Sequence, residues 1–262
     1  MTSAERTTPS TAFLDHAAAS ISARMAEVTE AASAAEPAAL DAYPGQKEAW
    51  RVASMSAEAL EPTLTELLCD LHAHPELAFE EVHAQATLTA LLEGRGYRVE
   101  QGAHEVGTAL RTSWTSPGYE PGRHRTVAIM AEYDALPGIG HACGHNIIAA
   151  AGIGAFLAAV DAAQAAGIEG RLVLLGTPAE EGHSGKEYMI RGGMLDDIDI
   201  AVMIHPFGYD IASHYWLGRR TLQATFHGVA AHASSQPFMG RNALDAATLA
   251  YQAMGLLRQQ MA

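Results

Sequence analysis

Apolar residues recur at helical spacing over residues 56–73, with Leu60, Leu64, Leu67, Leu68 and Leu71 on one face, and predict a helix ending near His74-Pro75. A second helix is predicted over residues 77–95, where Phe79, Val82, Ala86, Leu88, Leu91 and Leu92 share a face and Gly94 and Gly96 stop it. Strand-like runs follow at 97–100, 108–114 and 126–133. The last contains Val127-Ala128-Ile129-Met130-Ala131 without polar alternation, the pattern of a strand covered on both faces. An Ala-rich helix over about 146–166, a buried strand over 171–176, a helix near 186–191 and a strand over 198–204 continue the alternation. Strands alternating with helices predict an α/β sheet with helices on both faces, which binds ligands beyond the carboxyl ends of its strands.

After Pro206 the pattern changes. Residues 218–228 read as one strand, with Leu222, Ala224 and Phe226 alternating, followed by a loop and an amphipathic helix over 242–260. One strand and one helix cannot bury two faces, so this stretch is expected to open a second domain whose remainder is missing. Residues 1–45, rich in Ala, Ser, Glu and Thr and closed by Tyr43-Pro44-Gly45, are expected to form a mobile or loosely helical extension. The expected division is thus 1–45, a metal-binding α/β domain over 46–213, and an incomplete domain over 214–262.

With 262 residues the chain can bury a sizeable core. A formal charge of -14 without any Lys/Arg cluster argues against nucleic acid as a partner. Apolar runs are broken by Gly, Asp or His before reaching the roughly 18 residues of a membrane span, and the start lacks a signal-peptide pattern. No membrane association and a cytoplasmic location are therefore expected, with Cys69 and Cys143 as free or metal-bound thiols rather than a disulfide.

The chemistry-bearing residues gather at strand ends. The three apolar strands run into Glu132-Tyr133-Asp134, Pro178-Ala179-Glu180-Glu181 and His205-Pro206, and the loop after the first holds His141-Ala142-Cys143-Gly144-His145. A hydrophobic core requires no acids and imidazoles at successive strand termini, so this points to a site. In an extended loop Cys143 and His145 would face the same side and could share one ion. Glu180 and Glu181 would diverge, one holding a metal and the other serving as a base. Asp134 could orient a ligating histidine through a hydrogen bond. Each has a plainer explanation: a buried Cys, a solvated strand end, a satisfied core histidine, or turn chemistry before Pro137-Gly138. The Gly-rich loop over 138–144 misses the dinucleotide fingerprint by one residue, and no Gly-x-Ser-x-Gly elbow is present.

These segments together resemble the amidohydrolase branch of the aminoacylase/glutamate carboxypeptidase family of metallopeptidases. The resemblance rests on Glu132-Tyr133-Asp134-Ala135-Leu136-Pro137 through Gly140-His141-Ala142-Cys143-Gly144-His145-Asn146. His74-Pro75-Glu76-Leu77 with Phe79-Glu80-Glu81, Pro178-Ala179-Glu180-Glu181-Gly182 and Gly228-Val229-Ala230-Ala231-His232-Ala233 agree in order. It implies a mixed, largely parallel sheet of zinc-peptidase type and the start of an α+β lid or dimerisation domain. It further implies two divalent metal ions, zinc or manganese, with Cys143 as a bridging thiolate and His145, Glu181 and His205 as further ligands. Glu180 would be the general base, and His232 would steady the oxyanion in a neighbouring protomer's site. The implied reaction is hydrolysis of the amide bond of a small N-acyl amino acid, aminoacyl conjugate or dipeptide, by a homodimer joined through the lid. Relatives continue for roughly another half-chain to a last histidine ligand, so the sequence is expected to be C-terminally truncated; the alternative function is a catalytically silent binding or dimerisation module. Glu132 stands where more distant relatives carry a histidine.

Overall fold

The computed structural model describes residues 45–208 and 222–260, together with isolated positions between residues 12 and 26. Most of the extension expected at 1–45, and residues 218–221 of the expected strand, lie outside the described residues. The chain divides into two compact units, Met1–Ile211 and Ala212–Ala262.

In the first unit, helix α1 (Gln46–Ala73) starts ten residues earlier than the apolar pattern predicts and buries Leu60, Leu67 and Leu71. Helix α2 (Val82–Glu93) starts five residues later than predicted. Residues 74–81 are used differently. The Glu76 carboxylate accepts the His83 and Ala84 backbone N–H groups, both at 2.9 Å, placing an acid on the orphan amides of the α2 N-terminus. Phe79 sits in the left-handed region (φ 66) and its ring meets those of His183 and Tyr188 edge-on. The strands are β1 (Glu100–Gln101), β2 (Leu110–Thr115), β3 (Thr126–Ala131), β4 (Arg171–Gly176) and β5 (Ile200–Val202), with helix α3 (His145–Ala166) after β3 and helix α4 (Gly185–Arg191) after β4.

The sheet order is β1-β2-β4-β3-β5. The β3–β4 and β3–β5 pairs are parallel, while β1–β2 and β2–β4 are antiparallel, so the sheet is mixed and its parallel half is the β4-β3-β5 side. Parallel pairing puts the carboxyl ends of β3, β4 and β5 on one edge. On one face of the sheet, α1, α2 and α3 enclose Leu71, Leu88, Ile153, Phe156 and Leu174; on the other, Ala128, Val173 and Leu175 pack with Met189 and Met194. The split of Val173 and Leu175 from Leu174 is the period-two alternation of β4, and each such fully buried side chain contributes roughly 1.5–3 kcal/mol. Two glycines allow α3 to seat closely. A Cβ at Gly154 would lie 2.6 Å from Leu64 Cδ1, and one at Gly152 would lie 2.9 Å from Ala131 Cβ.

Contrary to the sequence expectation, α3 is long and apolar enough to cross a membrane, at 22 residues with mean hydropathy 1.7 in its best window. Its apolar surface is spent on the core: 72% of that window is buried against the sheet and α1.

Asp197 bridges β2 and β4, accepting from Arg111 at 2.6 Å and from Arg171 at 2.8 Å. Burial raises the Asp197 pKa, but these guanidinium contacts outweigh it and the net shift is downward. A lowered folded-state pKa means that the pairing stabilises above the ordinary carboxylate range and fades as pH falls through the lowered value. Asp197→Asn is expected to lose no more than about 1 kcal/mol, because the group is half-exposed. Thermal melts of both proteins across acid pH should converge at the acid end.

The second unit is described over 222–260. No strand forms over the described residues 222–228; Val229 and Arg241 exchange backbone hydrogen bonds as an isolated bridge. Helix α5 (Ala243–Leu257) is capped by Asn242, whose side chain accepts from Leu244 N–H, and continues as a 3-10 turn to Gln260. No α5 residue is buried, and Leu244, Leu249 and Leu256 are exposed. Among the described residues of this unit, one helix and a single bridge do not make two layers that could bury a face.

Candidate metal centre

The site lies where β3, β4 and β5 end. His145 is the first residue of α3, and Gly144 before it is left-handed (φ 83), so Cys143-Gly144-His145 is a tight turn rather than the extended loop expected. The turn still brings the two side chains to one point. One ligand-type atom from each of Cys143, His145 and His205 lies within 4.8 Å of the others, and the same holds for His145, Glu180 and Glu181. His145 belongs to both trios. Cys143 Sγ is 3.8 Å from His205 Nε2, and the rings of His145 and His205 meet edge-on at 6.0 Å.

Asp134 holds this arrangement. Its Oδ1 pairs with His145 Nδ1 at 2.9 Å and its Oδ2 accepts the Glu181 backbone N–H at 2.8 Å, so one carboxylate orients the ring and anchors the Glu loop. His145 Nε2 faces inward: Glu132 Oε2 is 3.3 Å away, Glu181 Oε1 3.8 Å and Glu180 Oε2 4.0 Å. His145 and Glu132 are almost wholly buried, yet Nε2 and Oε2 have no hydrogen-bond partner. The other Glu132 oxygen contacts Lys186.

The electrostatics follow from four acids in a confined space. Burial lowers the pKa of His145, but the Asp134 hydrogen bond and the charges of Glu132, Asp134 and Glu181 outweigh it and the net shift is upward. Asp134 is lowered: burial opposes its charge, while His145 and the Glu181 and Glu180 amides overcome that. Glu180 is raised by burial first and by the charge of Glu132 second. The Cys143 thiol is pushed up to about 12 by burial, with Glu181 next in weight.

The residues fit divalent cations. A thiol, two imidazoles and two acids converge; an inward imidazole nitrogen and a carboxylate oxygen lack hydrogen-bond partners; and four carboxylates crowd around His145, with Lys186 against one of them. Cys143, His145, His205, Glu180 and Glu181 can supply ligand atoms, and Glu132 is within reach. His232 belongs to the second unit, where it lies in an exposed loop and its Nδ1 accepts from Ser235 N–H at 3.3 Å.

The loop that carries the two acids is wound tightly. Ala179, Gly182 and Ser184 have φ of 60, 79 and 57, and Gly185 N–H closes the turn on Ala179 O at 2.8 Å. A Cβ at Gly185 would lie 2.0 Å from Pro178 O, so the loop can close only over glycine. Gly185→Ala is expected to cost at least about 1–3 kcal/mol and to open the loop, read as a lower melting temperature with reduced metal uptake. Glu81 holds the loop from behind. This fully buried acid accepts Ala179 N–H at 2.8 Å and the Thr108 hydroxyl at 2.7 Å, and burial raises its pKa against those bonds. Glu81→Ala is expected to destabilise by about 1–3 kcal/mol by stranding both donors, with Glu81→Gln intermediate; chemical denaturation checks it. Glu132 was named at its strand end in the sequence but given no role in the site, and Lys186 and Glu81 were absent from it. Lys186 and Glu81 give no local signal, because their partners are 54 and 98 residues away.

Residues 128–248 match the model of peptidase family M20/M25/M40. Over 194 residues the chain is 40% identical to the mouse (Mus musculus) Xaa-Arg dipeptidase, a match covering 71% of this chain and 45% of that protein. Over 222 residues it is 32% identical to a p-aminobenzoyl-glutamate hydrolase chain of Escherichia coli (strain K12), covering 78% of this chain and again 45% of the relative. The chain thus spans about half the length of the curated relatives it matches. A putative aminohydrolase from methicillin resistant Staphylococcus aureus superposes with a TM-score of 0.55 at 24% identity, over 79% of this chain and 59% of that one, a likeness of fold. By the matched segment and these relatives, the chain is similar to peptidase family M20/M25/M40, with residues 128–248 carrying the family pattern.

Proposed function

We propose that this chain carries the metal-binding half of a hydrolase that cleaves the amide bond of a small N-acyl amino acid, aminoacyl conjugate or dipeptide. The observation that carries the reading is the sharing of His145 between two ligand trios, one with Cys143 and His205 and one with Glu180 and Glu181. The names of the mouse dipeptidase and the bacterial p-aminobenzoyl-glutamate hydrolase support the substrate class.

Cys143, His145, Glu181 and His205 would hold two divalent cations, and the thiolate and imidazole donors favour zinc over manganese. Such cations supply Lewis acidity and make water acidic enough to react near neutral pH. Glu180 takes a proton from the attacking water as its oxygen bonds to the amide carbon, and returns that proton to the leaving nitrogen as the C–N bond breaks. Asp134 keeps the His145 ring turned so that Nε2 faces the acids. Lys186 neutralises one oxygen of Glu132. His232 is assigned to the oxyanion within a homodimer formed through residues 214–262, in a cytoplasmic enzyme.

The test is release of amine from N-acyl amino acids and dipeptides by the purified chain, with and without added zinc or manganese. Saturable metal binding with metal-dependent amine release is expected. Binding without release by this chain, together with release by a longer form carrying the rest of the relatives' length, would assign the missing step to the residues outside this sequence. Neither binding nor release would end the proposal in favour of a silent module.

A further inference from the structure

A second group of ligand-type side chains lies away from the strand ends, where α1 meets α2. Asp70 and His74 are four residues apart, at the last turn and C-cap of α1, and so project on one side; His83 sits in the first turn of α2. Asp70 Oδ1 is 3.2 Å from His74 Nδ1, and Asp70 Oδ2 is 2.7 Å from His83 Nε2. The two imidazole rings are 4.5 Å apart and tilted by 47°. One ligand atom from each of the three lies within 4.8 Å of the others.

We propose that Asp70, His74 and His83 form a separate divalent-metal site of zinc type, which ties the end of α1 to the start of α2. Carboxylate and imidazole donors suit zinc, whose tetrahedral shell separates neighbouring ligand atoms by about 3.3 Å. The two Asp70 contacts run to different oxygens, and His74 Nδ1 also lies 2.9 Å from the Asp70 carbonyl, so closing on one ion needs the imidazoles to turn towards a shared position, within the reach of half-exposed histidine rotamers. The backbones are held without the ion. His74 N–H bonds to the Asp70 and Leu71 carbonyls, and His83 N–H bonds to Glu76. All three side chains are partly solvent-accessible, which leaves a fourth position for water and a path for entry.

The location gives the site a structural consequence. Residues 75–81, the segment it would clamp at both ends, touch both loops of the strand-end centre: the Glu76 carbonyl accepts Ala135 N–H at 2.8 Å, and the Glu81 carboxylate accepts Ala179 N–H at 2.8 Å. An ion on Asp70, His74 and His83 would stiffen that segment and thereby steady the backbone on which Asp134 and Glu180 stand. The inference does not depend on the amide chemistry proposed above.

The experiment uses the tag-free chain with zinc and cobalt. Bound zinc is counted after saturation at micromolar free metal for the unaltered chain and for Asp70→Asn and His83→Gln. Each variant is expected to hold one equivalent fewer, while the near-ultraviolet thiolate-to-cobalt band from Cys143 keeps the intensity it has in the unaltered chain. Where a variant fails to fold, carbethoxylation of His74 and His83 is measured in the unaltered chain by peptide mass spectrometry, and zinc is expected to protect both at least about tenfold. Equal stoichiometry in all three chains, saturation only at millimolar zinc, or unprotected His74 and His83 would each overturn the proposal.

Discussion

Glu180→Gln is expected to lower amide turnover by about 10²–10⁴-fold while leaving metal content and folding unchanged. The side chain stands at the mouth of the centre, partly exposed, with Oε2 4.0 Å from His145 Nε2, so it addresses the space between the ligand groups without filling it. Burial and the neighbouring Glu132 charge both raise its pKa, which makes it a stronger proton acceptor than an ordinary surface acid. Glutamine keeps the shape and loses only the capacity to take the proton. The measurement is kcat and KM on a preparation that releases amine, beside metal analysis of the same sample. Unchanged kcat would end the role of base, and a lost ion would make Glu180 a ligand instead.

Cys143→Ala is expected to remove at least one of two bound ions, or to weaken binding more than about 100-fold, a larger effect than the 10–100-fold typical of losing a partner that merely orients a ligand. In the metal-free protein the thiol is pushed up to about 12 by burial, with Glu181 adding to it, so the sulfur becomes a thiolate at neutral pH only when a cation displaces its proton. Its sulfur lies 3.8 Å from His205 Nε2, a separation that two ligands of one ion could have. The half-buried thiol contributes little to the core, so the variant should melt within about 1 kcal/mol of the parent. Direct metal counting decides the matter, and retention of both ions would show that the sulfur is not a ligand.

Much of the fold was legible in the sequence. The apolar runs of β3 and β4 and the long α3 stand close to their predicted bounds, because a strand buried on both faces and a helix buried almost all round leave continuous apolar signals. Where the structure departs, a local pattern met a longer-range demand. Residues 77–81 have helical spacing, but Glu76 caps α2, Phe79 turns left-handed to meet His183 and Tyr188, and Glu81 reaches Ala179. The strand expected over 218–228 has no partner among the described residues, and without a second strand there is no ladder to form.

The amino-acid sequence alone determined which residue types stand at the ends of the three parallel strands, since the hydrophobic run of a strand and the polar residues that end it are adjacent in the chain. It also carried the family resemblance. The tertiary structure decided which of these side chains meet: that His145 is held by Asp134 and faces Glu132, that Cys143 reaches His205, and that Lys186 and Glu81 take part. Those contacts join residues up to 98 positions apart, and only the parallel pairing of β4 and β5 beside β3 brings them to one edge. Sequence periodicity reports the face on which a residue lies, whereas the distance between two remote side chains exists only after the sheet has closed.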